Sequence, residues 1–369
     1  MLKNRAEAII NTENLAHNFK KIRAMAGGSR VISVVKADAY GHGAAECAHV
    51  IERCGGDMFA VASADEGAAL RESGIAGDIL VLGISTAEEQ KRLHEFDLIQ
   101  SVASREYADE LGALGYPVRI HIKIDTGMSR LGFYCHGEED NAAAYEAVRD
   151  ALEKNKSLKC EGVFTHFACS DEPYDSMTRR QFGAFSAFCG LCEKGGLGLG
   201  MRHCCNSAAI VNFPEMHLDA VRAGILLYGL SPNPGVTDAA GLLPCMTLKA
   251  NVVQLSHIRK GDTVSYGAAF VSDRDMTVAT LSVGYADGLL RALSGKADVV
   301  IRGKRRKWWE RYAWTCVWRM FRTLTVRSVT RRSFSATDRV RTDLRSLRER
   351  SITRYSARSG TVSAGDTYD

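Results

Sequence analysis

Short apolar runs alternate with amphipathic helical stretches in this sequence as far as about residue 235, and this alternation constrains the fold most. One apolar run is RVISVVK, which ends at Lys36, and the helical stretch GAAECAHVIERCG follows it. Uniformly apolar strands separated by helices predict a parallel sheet that is covered on both faces. About eight such units follow one another, which favours an α/β fold with a closed (β/α)8 barrel over an open sheet.

The pattern changes near residue 240. TLKANVVQLSHIRKGDTVSYG and MTVATLSVGYADG contain β-rich runs separated by Gly and Asp turn signals, without helices between them. These segments predict a second, all-β domain. The sequence therefore divides into a barrel over residues 1–238, a β domain over 239–304 that we expect to be incomplete, and an Arg- and Trp-rich tail over 305–369.

The tail differs from the rest of the chain in charge and aromatic content. Residues 302–369 hold 18 Lys and Arg against 6 Asp and Glu, a net charge of +12, whereas the whole chain carries +5. The first 301 residues therefore carry −7, so the basic character belongs to the tail alone. One interpretation is a tail that binds nucleic acid through Arg and Trp. The other is a segment foreign to the protein.

The sequence also indicates the compartment. MLKNRAEAIINTENLAHNFKKIR has neither the apolar core nor the cleavage site of a signal peptide, and no uncharged apolar run approaches membrane-spanning length. Eleven scattered Cys favour a reducing, cytoplasmic setting without a membrane partner. Cys189 and Cys192 lack a second Cys or His pair at zinc spacing, so we expect no metal site.

Four segments end predicted strands in polar residues that a core does not need: VVKADAYGHG, KIDTGMSRLGF, FTHFACSDEP and RAGILLYG. Lys36 is the most informative, because it ends an apolar run. Its stem could pack on the barrel while its ammonium reaches water. A buried Lys with a lowered pKa is also what Schiff-base chemistry requires, and Tyr40 and Gly-His-Gly directly behind it favour that reading.

VVKADAYGHG resembles the pyridoxal-phosphate lysine motif of alanine racemases, enzymes with a barrel and a β domain. The resemblance continues in order through HIKIDTGMSRLGF, THFACSDEP, NSAAI, VRAGILLYGLSP, VSYGAAF and SVGYADG, to about residue 301. It implies that Lys36 carries pyridoxal 5'-phosphate and acts as a base on one face of the substrate Cα. Tyr266, in VSYGAAF, would be the base on the opposite face.

Two bases are needed because the proton leaves one face and returns on the other. A phenol is a weak base, so Tyr266 needs a cationic neighbour, and the resemblance gives that role to His166, oriented by Arg222. The family presents this Tyr from the partner subunit, which implies a homodimer. Arg222 would face the pyridine nitrogen, where it donates a hydrogen bond but does not protonate the ring. That choice favours racemisation over decarboxylation.

The resemblance also assigns the remaining contacts. Tyr40, Asn206, Ser207 and the backbone amides of Gly224 and Ile225 would hold the cofactor phosphate, although Asn-Ser would equally begin an ordinary helix. For the substrate and its surroundings, Arg130 would lie near the carboxylate, Tyr285 would line the entrance, and Lys123 matches a position that is carbamylated in many members.

The family pattern stops near residue 305, where a segment like VVGRVCMDM is expected. Reading each codon's third base with the first two bases of the next codon, the codons for WWE at 308–310 force Val-Gly, and those for WT at 314–315 force Asp. In the same frame, residues 352–358 permit the family's terminal Tyr-Glu-Ile-Leu-Cys. We therefore interpret the tail as an out-of-frame translation, which would impair this chain, and expect no nucleic-acid partner.

The sequence thus predicts an alanine racemase that supplies D-alanine for peptidoglycan. A serine or broad-spectrum amino-acid racemase is the closest alternative, and rates with L-alanine and L-serine would distinguish the two. A barrel that only carries pyridoxal phosphate would have no use for a second base such as Tyr266.

Overall fold

The computed structural model describes residues 4–231, 240–290, 293, 297–301, 303–307 and 317–321. The chain divides into two compact units. One unit is Thr12–Pro244, and the other joins Met1–Asn11 to Cys245–Asp369.

The strands of the described residues, in chain order, are β1 (Ala6–Ile10), β2 (Arg30–Val34), β3 (Met58–Val61), β4 (Asp78–Val81), β5 (Ile99–Val102), β6 (Val118–Asp125), β7 (Phe133–Tyr134), β8 (Leu158–Phe164), β9 (Met201–His203), β10 (Ala220–Ala223), β11 (Met246–Ala250), β12 (Val252–Ile258), β13 (Thr263–Val264), β14 (Phe270–Val271), β15 (Met276–Leu281), β16 (Asp298–Ile301), β17 (Lys304–Lys307) and β18 (Val317–Phe321). The right-handed helices are α1 (Thr12–Ala26), α2 (Ala44–Arg53), α3 (Ala64–Glu72), α4 (Ala87–Glu95), α5 (Arg105–Gly112), α6 (Asn141–Lys154), α7 (Ser176–Lys194) and α8 (Ser207–Asn212).

The first unit is a closed barrel. Its parallel strands pair in the order β5-β4-β3-β2-β10-β9-β8-β6, and pairing of β5 with β6 closes the ring. A helix follows each of these strands except β10, which is followed by a 3-10 turn, Ile225–Tyr228. The predicted (β/α)8 barrel is therefore confirmed.

Alternate residues of the barrel strands share one face, because side chains in a strand point to opposite sides in turn. Apolar side chains from five strands form one buried cluster there: Ile32, Val34, Met58, Ala60, Leu80, Ile99 and Ala220. Arg222 lies two residues beyond Ala220 in β10 and pairs in register with Ile32. The charged side chain of Arg222 therefore follows the apolar core residue Ala220 on the same face of β10.

Ion pairs join neighbouring strands at the amino end of the barrel. Arg30 begins β2 and pairs with Asp57 and Asp78 at 3.0 and 2.9 Å. Arg119 in β6 pairs with Asp78 at 2.8 Å and with Glu161 of β8 at 2.8 Å. Because two guanidinium groups share Asp78, charge links β2, β4, β6 and β8 at this end.

The second unit consists of β strands, as predicted. β12, β15 and β18 form an antiparallel sheet, and β13–β14 and β16–β17 form antiparallel pairs. Its first strand is β1, which pairs antiparallel with β11 from Ala6↔Ala250 to Ile10↔Met246. The expected boundaries therefore differ from the structure. The first eleven residues belong with the β strands, and the barrel unit extends to Pro244 rather than to residue 238.

Most of the expected tail, 305–369, lies outside the described residues. β18 and part of β17 fall within it, whereas Trp308, Trp309 and Trp314 are outside the described part. Within the described ranges, no helix has the length and apolar character needed to cross a membrane.

Candidate active site

The expected site residues of the barrel unit lie at the carboxyl ends of its strands. Lys36 follows β2, His166 follows β8, and Arg222 lies within β10. Because the carboxyl ends of parallel barrel strands meet at one end of the barrel, these residues share the face where barrel enzymes hold their active sites.

Lys36 lies in an environment that disfavours a charged amine. Burial lowers its pKa, the nearby Arg130 and Arg222 guanidinium groups lower it further, and the Glu66 carboxylate acts in the opposite direction. A lowered pKa increases the fraction of the amine that is neutral, and a neutral amine can attack a carbonyl or accept a proton.

The segment after Lys36 is a left-handed turn, Lys36–Gly41. Four consecutive residues, Ala37 to Tyr40, have φ between 51° and 55°. L-residues in this region cost about 1–2 kcal/mol each, so surrounding contacts must hold the turn. Ala39 N donates to Val35 O at 2.8 Å, and Ala37 N donates to Glu66 Oε1 at 2.9 Å.

Arg222 is buried, with 3% of its surface exposed, and its two terminal nitrogens are fully engaged. Nη2 donates to Thr165 O at 2.7 Å and to Cys204 O at 3.0 Å. Nη1 donates to His203 O at 3.1 Å and lies 2.9 Å from His203 Nδ1. Burial lowers the pKa of this guanidinium to about 10. None of these bonds uses the Nε–H group.

His166 contacts Arg222 but is not cationic. Its Nδ1 lies 3.2 Å from Arg222 Nη2, and burial and then Arg222 hold its pKa well below the ordinary range. The lowered pKa disfavours the cationic form that the sequence-based expectation gives to His166 beside Tyr266. Because a guanidinium has no acceptor, a hydrogen bond at this contact, shared with the other Nη2 bonds, requires an unprotonated Nδ1 and places the neutral ring's proton on Nε2. The positive charge next to His166 is that of the Arg222 guanidinium.

Sequence reasoning missed the two His behind Arg222. His203 Nε2 lies 2.9 Å from His121 Nδ1, and both rings are buried. Burial lowers the pKa of His121 to about 3 and holds that of His203 well below its ordinary range. The signal was present in HIKID, because His121 and Lys123 are two residues apart and so face the same side of β6.

Three of the expected phosphate contacts converge at Gly224. Gly224 N donates to Ser207 Oγ at 2.9 Å. A Cβ added at Gly224 would lie 3.1 Å from Tyr40 Oη and 3.5 Å from Ser207 Oγ. Burial, and then Glu66, raise the pKa of Tyr40 to about 12, which keeps its hydroxyl a donor. The cradle is therefore small and rich in hydrogen-bond donors, and it depends on the missing side chain at 224. Ile225, whose backbone amide is another expected phosphate contact, follows Gly224 in the chain.

Asn206 occupies a different role from its neighbour. Its side chain caps α8 by accepting from Ala209 N at 3.1 Å, and it also accepts from Ser170 Oγ at 2.8 Å. The helix-start function of Asn206 is thus present in the structure, whereas Ser207 faces Gly224.

Lys123 lies near the end of β6, and Arg130 lies in the loop that follows this strand. Lys123 is buried, and burial followed by Arg222 holds its pKa well below the ordinary range. Its Nζ lies 4.8 Å from the Phe164 ring centroid. Arg130 is exposed and follows a turn in which Asp125 Oδ1 accepts from Gly127 N and Ser129 N. The turn fixes the backbone from which Arg130 projects.

Tyr266 and Tyr285 belong to the β-strand unit. They begin the 3-10 turns Tyr266–Ala268 and Tyr285–Asp287, with 74% and 37% of their surfaces exposed. Among the described residues, no group of three or more His, Cys, Asp or Glu side chains is arranged to hold a metal ion.

Comparison with known proteins identifies the family. Residues 10–232 match the N-terminal domain of alanine racemase and residues 245–311 match its C-terminal domain. The alanine racemase of Carboxydothermus hydrogenoformans is 41% identical over 303 residues, and that of Desulfovibrio desulfuricans is 40% identical over 303 residues. Each match covers 81% of this chain and 80% of the relative. Among solved structures, Clostridium difficile alanine racemase in complex with cycloserine has a TM-score of 0.83 at 28% identity, covering 97% of this chain and 94% of that one.

A barrel with Lys36 and Arg222 at its carboxyl end, a following β-strand unit and these relatives together define an amino-acid racemase, an enzyme of the isomerase class. The chain belongs to the alanine racemase family. Its reaction is the interconversion of L-alanine and D-alanine.

Proposed function

We propose that the barrel binds pyridoxal 5'-phosphate through Lys36, and that Lys36 and Tyr266 exchange the α proton of alanine from opposite faces. The observation that carries the proposal is the Lys36 amine, whose pKa is lowered, at the same end of the barrel as the donor cradle at Gly224. When bound, the cofactor supplies an electron sink that acidifies the Cα–H bond of an amino acid.

The residues present fit this cofactor. The hydroxyls of Tyr40 and Ser207 and the backbone N–H groups at Gly224 and Ile225 would bind the phosphate, which needs directed donors more than bulk charge. Asn206 supports that cradle as the cap of α8. Arg222 would direct its Nε–H at the pyridine nitrogen. Because a guanidinium is a very weak acid, it donates to that nitrogen without protonating it, which limits side reactions.

The proton-transfer groups follow from the charges of the site. The lowered pKa of Lys36 increases the neutral fraction of its amine, and a neutral amine can accept a proton on its side of the substrate. On the other side, His166 presents Nε2–H, because Arg222 fixes its Nδ1 as the acceptor. That N–H would stabilise a phenolate at Tyr266, so the positive charge of Arg222 acts on the base through a neutral ring.

The substrate and subunit contacts complete the proposal. Arg130 would bind the alanine carboxylate and Tyr285 would line its entrance, while the neutral amine of Lys123 is the form that carbamylation requires. The high exposure of Tyr266 in its own unit supports a homodimer in which the partner subunit's Tyr266 serves each barrel. We propose a cytoplasmic enzyme that supplies D-alanine for peptidoglycan. Cycloserine, which the Clostridium difficile relative binds, is expected to compete with alanine here.

Lys36→Ala tests the cofactor assignment, with the exposed Lys20→Ala as a matched control. We expect wild type and the control to take up pyridoxal phosphate with visible absorbance, and borohydride reduction to fix it on the peptide that contains Lys36. Lys36→Ala should show neither signal. Retention of the visible absorbance by Lys36→Ala would contradict the assignment. Formation of D-alanine from L-alanine, compared with racemisation of L-serine, measures the substrate preference.

A further inference from the structure

One carboxylate joins the Lys36 turn to the next β/α unit. Glu66 is the third residue of α3, and its Oε1 accepts from Ala37 N at 2.9 Å. Its Oε2 accepts from Ala62 N at 2.8 Å, and its own backbone N donates to Ser63 Oγ at 3.3 Å. The two oxygens therefore connect the residue after Lys36 with the entry to α3.

The bond from Ala37 N to Glu66 does more than cap α3, because it lies at the start of the left-handed turn. Ala37 is the first of four consecutive residues in the left-handed region, and it directly follows Lys36. Two further hydrogen bonds of the turn are local: Ala39 N donates to Val35 O, and Asp38 Oδ1 accepts from Ala44 N at 2.7 Å. Glu66 supplies the bond from a separate element, so it can fix the turn relative to the neighbouring strand.

α4 provides an internal comparison. Glu89 is the third residue of α4, and its Oε2 accepts from Thr86 N at 2.8 Å in a capping box. Glu89 thus performs for α4 the part that Glu66 performs for α3, but it has no bond to a segment that contains a functional Lys. If substitutions of Glu66 and of Glu89 have different effects, the difference reports the bond from Glu66 to the Lys36 turn and not the helix cap.

We infer that Glu66 is a positioning residue for Lys36: it holds the left-handed turn that follows Lys36, and its negative charge favours the protonated amine. The inference rests on the proposed function of Lys36. Its two effects are separable. The geometric effect needs both oxygens as acceptors, whereas the electrostatic effect needs only the negative charge near the amine. The direction of the second effect agrees with the pKa of Lys36, which burial, Arg130 and Arg222 lower and Glu66 raises.

Three variants of the full chain test these effects. Glu66→Gln removes the charge and replaces one acceptor by a donor. Glu66→Asp keeps the charge but is too short to span both N–H groups. Glu89→Gln removes the corresponding charge from a helix cap, in which the amide oxygen can still accept from Thr86 N. Two readouts apply to each: the pH midpoint of reductive methylation at Lys36 in the cofactor-free chain, read by peptide mass mapping, and the Kd for pyridoxal phosphate.

For Glu66→Gln we expect the methylation midpoint to move to lower pH and the Kd to rise about tenfold, as for loss of a charge-assisted hydrogen bond. Glu66→Asp should raise the Kd similarly without lowering the midpoint. Glu89→Gln should match wild type in both readouts. Circular dichroism checks folding, and if Glu66→Gln does not fold, Glu66→Asp against Glu89→Gln decides the geometric effect.

The inference is overturned if the Glu66 variants and Glu89→Gln give the same midpoint and the same Kd, because Glu66 would then be a helix cap alone. Failure of the proposed function has a different signature. In that case wild type itself shows no attachment of pyridoxal phosphate to Lys36 after borohydride reduction, whatever residue occupies position 66.

Discussion

At the scale of single residues, burial keeps His121 uncharged inside the barrel, and this lowers the stability of the folded chain at acid pH. The ordinary His pKa is about 6.5 in an unfolded chain, whereas burial lowers that of His121 to about 3. As pH falls below 6.5, the unfolded chain takes up a proton that the folded chain does not. The free energy of unfolding therefore decreases, for this group by about 2 kcal/mol between pH 7 and pH 5.

His121→Gln should reduce that pH dependence. The amide keeps a polar contact for His203 but does not titrate, so the loss of stability between pH 7 and pH 5 should be smaller than in wild type. Urea denaturation at the two pH values measures it, with the exposed His94→Gln as control. An unchanged difference between pH 7 and pH 5 in His121→Gln would show that His121 is not the responsible group.

Sequence reasoning reached some of these residues and not others for a physical reason. Lys36 stands out because a charge ends an apolar run. Glu66 does not, since its function depends on a backbone N–H twenty-nine residues earlier. His121 and His203 meet only because β6 and β9 both face the interior of a closed ring. Such pairings require the tertiary structure.

At the scale of elements, the ion pairs at the amino end of the barrel stabilise strand pairing without touching the proposed site. Burial raises the pKa of Asp78, but hydrogen bonds from Arg119 and Arg30 outweigh it, so the net pKa is lowered. A carboxyl with a lowered folded-state pKa contributes stability above its ordinary pKa and loses it as pH falls through the folded value.

Arg119→Met should therefore destabilise the barrel by about 1–3 kcal/mol at pH 7, because it leaves partly buried carboxylates without their partner. The deficit should shrink at acid pH, where Asp78 takes up its proton. The Kd for pyridoxal phosphate should not change, because the site lies at the opposite end of the strands. Urea denaturation measures the first effect, and Arg105→Met, which breaks an exposed pair with Asp150, is the control. An altered Kd would contradict the separation of stability from binding.

The elements themselves were predictable to different degrees. Apolar runs and helical periodicity predict the barrel, because each strand and helix carries its own pattern. The left-handed turn could not be predicted, since Ala, Asp and Tyr have no preference for positive φ. The expected barrel boundaries, 1–238, include β1, and only its pairing with Met246–Ala250 joins it to the second unit.

At the scale of the whole molecule, the out-of-frame interpretation of the tail is directly testable. The match to the family's C-terminal domain ends at residue 311, within the stretch where the alternative frame restores Val-Gly and Asp. We expect resequencing of codons 300–320 to show one base more or fewer than the present record implies. The corrected chain should be an active homodimer. A confirmed record would contradict the interpretation and leave a barrel that binds cofactor with little turnover.

Subunit complementation tests where Tyr266 acts, using the corrected chain. Lys36→Ala and Tyr266→Phe should each abolish racemisation. When the two chains are coexpressed with different tags and the mixed dimer is purified, one barrel contains Lys36 and receives the partner subunit's intact Tyr266. That dimer should regain up to half of the wild-type rate. No regain of activity would mean that Tyr266 serves its own barrel.

The pairing of β1 with β11 has a consequence during synthesis of the chain. Its two partners are separated by about 240 residues, which a ribosome takes on the order of 10 to 50 s to make. Throughout that interval β1 has left the ribosome without its neighbour, while every strand of the barrel is produced and can pair. All strands of the barrel are therefore synthesised, and can begin to pair, before the codons of the tail are translated.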